Sequence, residues 1–174
     1  VVLKALVTMM KDDTKDVVGK ACEGVQAIIE LCGPHALSSV ANDCLENTYA
    51  ILAKEAPCWQ NEYGDDEEFG DEDDDHDSFM TSVCDLIGSF GRVMGQHFVQ
   101  YLPKFLPAIC FYAKTSRPPS DRSMAIGCLG ELSQELESGI APHCQDVFYA
   151  ASIAGLADSD NSVKRNAAFC IGVS

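Results

Sequence analysis

Apolar residues recur every three or four positions along most of this chain. In residues 15 to 32 the stripe is Val18, Cys22, Val25, Ile29 and Cys32, and in 78 to 94 it is Phe79, Val83, Leu86, Phe90 and Val93. Similar stripes run through Leu37, Val40, Cys44, Tyr49 and Leu52, through Phe98, Leu102, Phe105, Ile109 and Ala113, and through Ala125, Cys128, Leu132 and Leu136. Each spacing places its apolar members on one face and predicts an amphipathic helix. No stretch alternates with period two, which argues against a strand-rich fold.

Punctuation between the stripes repeats as well. Gly33 is followed by Pro34 and His35, Gly95 by Gln96 and His97, and Gly139 by a short run ending in Pro142 and His143. Glycine suits the left-handed position that closes a helix, so each of these glycines is expected to end one helix before its partner begins. Arg122 and Arg165, in comparable strings, are 43 residues apart. A period near 43 belongs to helical hairpins of the HEAT type. The expected class is therefore all-α: a HEAT-repeat α-solenoid of antiparallel helix pairs, about three and a half repeats long.

Charge changes this picture at one place. The net charge is −15, and residues 62 to 77 hold 11 acidic residues and no lysine or arginine, so removing those 11 leaves only −4 for the rest of the chain. The first glycine interval, 62 residues, exceeds the second, 44, by roughly the length of this run. It reads as an insertion. The expected organisation is the end of one repeat plus a complete helix pair in 1–57, an acidic loop insertion in 58–77, and two further pairs with a truncated helix in 78–174. Both chain ends are apolar and lack caps, as if cut through a helix.

Prolines and polar clusters mark the remaining joints. Ser120 in "RPPSD" and the "DSDNS" string at 158 to 162 are expected N-caps, while Pro103 and Pro107 should bend the helix around them or shorten its start. Nine cysteines, mostly within apolar stripes, fit a reducing compartment. The chain shows no secretory signal, and its longest near-apolar run, "FLPAICFYA", is too short to cross a bilayer, so no membrane insertion is expected.

The acidic run is the main candidate for function. Closely spaced like charges repel and resist packing, so one reading is a solvated loop. The other is electrostatic capture of basic segments by Asp65, Asp66, Glu67, Glu68, Asp71, Glu72, Asp73, Asp74 and Asp75. Trp59, Tyr63, Phe69 and Phe79 lie around it and either stack on lysine or arginine or anchor the loop ends to the helices. Direct nucleic-acid binding is not expected, because phosphates need clustered Lys and Arg. The alternating Asp71, Asp73, Asp75 and Asp77 fail as an EF-hand, which would want glycine where His76 stands and glutamate where Ser82 stands. No Cys-x-x-Cys pair supports zinc, and Cys22, Cys84 and Cys128 are stripe members. His35, His97 and His143 recur near the starts of second helices, where contact with turn backbone is the simpler role. No nucleophile elbow, phosphate loop or dinucleotide fingerprint is present, so no cofactor and no enzymatic activity are expected.

"DRSMAIGCLGELSQEL", followed one repeat later by "LADSDNSVKRNAAFCIGV", resembles the importin-beta superfamily of nuclear transport receptors, nearest the importin four branch. "HFVQYLPKFLPAICFYAK" is similar to that branch's inner helix. The resemblance implies a receptor whose inner helices face basic protein cargo, of histone or ribosomal type, or Ran bound to GTP, with other surfaces for phenylalanine-glycine nucleoporins. It also implies shuttling between cytoplasm and nucleus. On that view the acids Asp43, Glu46 and Asp146 join the acidic run as cargo-binding candidates. The hairpin period alone is equally compatible with a HEAT scaffold subunit of a phosphatase, chromosome-organising or coat complex.

Overall fold

Each apolar stripe named above lies in a helix or in the tight turns that lead into one. The structure, a computed structural model, describes residues 1–60 and 72–174, with backbone alone for 72–77. Among the described residues the order is α1 (Val2–Met9), α2 (Lys15–Cys32), α3 (Ala41–Leu52), α4 (Glu72–Met94), α5 (Leu102–Tyr112), α6 (Pro119–Leu136), α7 (Ala150–Leu156) and α8 (Asn161–Val173). No strand occurs among them. The chain is all-α and of helical-repeat type, as the periodicity predicted.

Two units divide within α4, Val1–Ser89 and Phe90–Ser174. In the first, α2 packs against α1 and lies along α4, with Gly19 beneath Phe79 and Val18, Cys22, Val25, Ile29, Val83 and Leu86 fully or almost fully buried. In the second, the end of α4 meets α6 at Gly91 and Leu132, and α6 packs closely on α8, where Gly127 faces Asn166 and Gly130 faces Phe169. Gly91 thus admits a neighbouring helix, where a Cβ would stand 3.1 Å from the Leu132 methyl. Phe90, Phe98, Phe105, Leu129, Leu132 and Phe148 fill this second core.

Side-chain pairs measure the repeat directly. Asn166 donates to the carbonyl of Ser123 and Arg92 bonds Glu135, both across 43 residues, whereas Ser82 to Glu23 and Ser89 to Glu30 each span 59. The same helix-on-helix relation therefore takes 16 more residues in the first unit.

Helix ends depart from expectation at three places, each for a local reason. Gly33 closes α2 at φ 72° and Gly95 follows α4 at φ 52°, but α6 ends at Leu136, with Glu137 and not Gly139 in the positive-φ position at 47°. Gly139 serves packing instead: a Cβ there would come within 2.5 Å of the Val99 methyl. Ser120 is not an N-cap, because α6 starts one residue earlier at Pro119, whose missing amide and fixed φ suit the first turn. The helix expected to begin near 78 begins at Glu72, so Glu72, Asp73, Asp74, Asp75 and Asp77 are helical rather than looped. Acidic residues in a first turn are favoured by the positive end of the helix dipole, which offsets their reluctance to lie close together.

Other caps follow the sequence. The Asp160 side chain accepts from the amides of Ser162 and Val163 at 2.8 and 3.1 Å and starts α8. Pro103 sits in the first turn of α5, preceded by the 3-10 turn Val99–Tyr101, and Pro107 lies inside that helix.

Candidate binding surface

The acidic candidates fall into three groups. Asp65, Asp66, Glu67, Glu68 and Asp71 lie outside the described residues. Glu72, Asp73, Asp74 and Asp75 occupy the first turns of α4. Asp43 and Glu46 are exposed, one turn apart on α3 in the first unit, and Asp146 is exposed on the segment before α7 in the second. Asp43 and Glu46 are thereby brought together.

The approach to the acidic run is built by Trp59. A positive φ of 60° at Lys54 ends α3 and turns the chain into the 3-10 turn Pro57–Trp59. Trp59 is buried, donates its indole N–H to the Ile51 carbonyl at 2.9 Å, and meets the Phe79 ring edge-on at 5.5 Å. The ammonium groups of Lys15 and Lys54 stand 4.5 and 4.4 Å from its centroid. Of the two roles open to the aromatics, Trp59 and Phe79 take the anchoring one, and the cations on Trp59 are this chain's own. Tyr63 and Phe69 lie outside the described residues.

A second group of acids escaped the sequence reading. Glu23 and Glu30, seven residues apart on α2, accept from Ser82 and Ser89, seven apart on α4. Asp85 lies on α4 between the two serines. Its carboxyl is pushed above the ordinary aspartate range by partial burial and then by Glu30, whereas Lys20, bonded at 2.8 Å, is the main reason Glu23 is held below the usual glutamate range. The matched seven-residue spacings were visible in the sequence; the pairing of the two helices was not.

In the second unit the polar groups serve structure. Arg122 grips Asp158 with two hydrogen bonds, Nε to Oδ2 at 2.7 Å and a terminal nitrogen to Oδ1 at 2.8 Å, and also reaches the Arg117 carbonyl. The guanidinium, followed by the Asp160 amide, lowers the Asp158 carboxyl to about 2. Arg117 bonds Asp121 and covers Phe111 and Tyr112. The cysteines are all free, and burial pushes the thiols of Cys22 and Cys44 up to about 12, so neither is a nucleophile at neutral pH. Among the described residues no three His, Cys, Asp or Glu side chains are placed to share a metal ion. His35 and His97 are exposed and His143 half-buried, each in a 3-10 segment that follows a first helix. No helix is long and apolar enough to cross a membrane among the described residues.

Over 103 residues, 59% of its length, the chain is 33% identical to a protein of Schizosaccharomyces pombe named probable importin subunit beta-4. The chain spans 10% of that relative's length. No family model matches it.

Proposed function

We propose that this chain is part of a nuclear import receptor and acts by binding, without catalysis, to lysine- and arginine-rich cargo of the histone or ribosomal-protein type. The observation that carries the reading is the 33% identity to an importin subunit over helical-repeat sequence. Support also comes from the concentration of 11 of the 27 acidic residues in positions 62 to 77. The run captures basic tails, and Asp43, Glu46 and Asp146 add contacts from the helical surface. In the parent receptor, Ran bound to GTP trades places with cargo, phenylalanine-glycine nucleoporins carry the complex through the pore, and the protein shuttles between cytoplasm and nucleus.

A single exposed ion pair contributes roughly 0–1 kcal/mol, so capture needs many weak contacts and weakens as salt screens them. The test is retention of the chain on an immobilised lysine-rich histone-tail peptide, with and without residues 62–77, while circular dichroism confirms that the shortened chain keeps its helices. The intact chain is retained and released as salt rises; the shortened chain passes through. Equal retention of both, or of neither, contradicts capture by the acidic run.

A further inference from the structure

The second helix of the pair that α6 opens is wound unlike the other second helices. In the first unit a 3-10 turn, Pro34–Ser39, leads through one residue into α3, and in the second unit Val99–Tyr101 leads directly into α5. After α6 the 3-10 segment runs for seven residues, Glu137–His143, with Pro142 inside it, and is followed by six residues of π-helix, Cys144–Tyr149, before α7 begins. The long 3-10 run has a near counterpart in the six residues of Pro34–Ser39; what sets this segment apart is the π turn, a rare element that occurs mostly as a single wide turn inside an α-helix. The segment starts at Glu137, whose φ of 47° with ψ of −119° is a conformation normally left to glycine.

This segment is pinned at both ends. At its start, Gln96 donates to the Leu136 carbonyl at 2.9 Å, and Gly139 is wedged against Val99 so tightly that a Cβ would stand 2.5 Å from its methyl. At its end, Phe148 is fully buried, and Gly155 beyond it seats α7 against Ile126 and Ala167, where a Cβ would approach 2.8 and 2.9 Å. Between the anchors Ala141, Pro142, Gln145 and Asp146 are exposed.

We propose that Cys144–Tyr149 holds one surplus residue as a π turn, and that this turn is an adjustable joint that moves toward the N-terminal end of the segment while Phe148 and α7 stay packed. The geometry favours a surplus over random irregularity. A π turn takes one residue more than an α turn to close its hydrogen bond, so five residues of α-helix advance the chain through about the same rotation as these six. Removing one exposed residue therefore leaves Phe148 and Gly155 facing their present neighbours. Because the turn breaks the regular i to i−4 ladder without unseating a buried side chain, moving it requires only local backbone rearrangement.

The test is amide hydrogen exchange on the intact 174-residue chain, together with two single-residue deletions. In the wild-type chain the amides of 144–149 exchange at least about ten times faster than those of α5, the second helix of the preceding pair. Deletion of Gln145 slows that exchange to the α5 level and leaves the Tm within about 3 °C, whereas deletion of Ala108 from α5, where no surplus exists, lowers the Tm by more than about 8 °C. If 144–149 exchange no faster than α5, or if losing Gln145 costs as much Tm as losing Ala108, the joint does not exist.

Discussion

An aspartate gripped by a guanidinium stays ionised far below the ordinary carboxylate range, and Asp158 is held at about 2 against a normal 3.8. Because its folded value is depressed, its contribution is complete above the normal value and disappears as pH falls through the folded one. A Tm profile between pH 5 and pH 2 should therefore fall more steeply for the wild-type chain than for Asp158→Asn, with the two curves converging near pH 2. Parallel curves would show that Arg122 does not stabilise the charged form. Gly155 tests packing at the same scale. A methyl there meets Ala167, whose Cβ has no freedom to withdraw, so Gly155→Ala should lose about 1–3 kcal/mol in urea unfolding. Trp59, the only tryptophan, reports on its own anchor. Trp59→Phe removes the donor to Ile51 and leaves that carbonyl unpaired, at a cost of about 1–3 kcal/mol. None of these three roles was legible residue by residue: Arg122 stood out only as a repeated basic position, Gly155 not at all, and Trp59 as one of several aromatics with two open roles.

At the scale of the element, apolar period decided where helices form and backbone chemistry decided where they stop. Val18, Cys22, Val25 and Ile29 are buried as their spacing requires, but Cys32, the last member of that stripe, is exposed one residue before Gly33 turns the chain. A stripe marks a face and says nothing about how far a neighbour covers it. The end of α6 shows the same limit. Glycine was the natural choice for its positive-φ position, yet Glu137 takes that conformation, while Gly139 is held against Val99. Replacing Glu137 by glycine should relieve a backbone cost of about 1–3 kcal/mol, offset in part by the greater freedom of glycine in the unfolded chain. A net rise in Tm, measured by circular dichroism, is the expected result; a fall would mean that Glu137 makes a compensating contact. The early start of α4 was missed because a dense run of like charges reads as extended, while the helix dipole draws some of those charges into a first turn.

For the molecule as a whole, a net charge of −15 concentrated in one run is a statement about partners and about salt, not about fold. Each unit has its own apolar core, and the charges named as binding candidates lie on exposed positions of α3, in the segment before α7, in the first turns of α4, or beyond the described residues. Charge reversal at exposed sites should therefore change capture without changing stability. Asp43→Lys together with Asp146→Lys is expected to weaken binding of a lysine-rich peptide severalfold at low salt, with a thermal midpoint within a few degrees of the wild-type chain. A large fall in the midpoint would instead assign those acids to the fold.

The sequence by itself determined the helical stripes, much of the punctuation between them and the period near 43, because apolar spacing and glycine or proline punctuation are properties of the local chain. Only the tertiary structure decided which helix lies on which. That arrangement joins Glu23 to Ser82, Arg122 to Asp158 and Trp59 to two lysines, and it determines where a glycine is held by space instead of by backbone angle. These contacts join residues from 5 to 59 positions apart, and no local pattern encodes a distance that depends on how two separate faces fit.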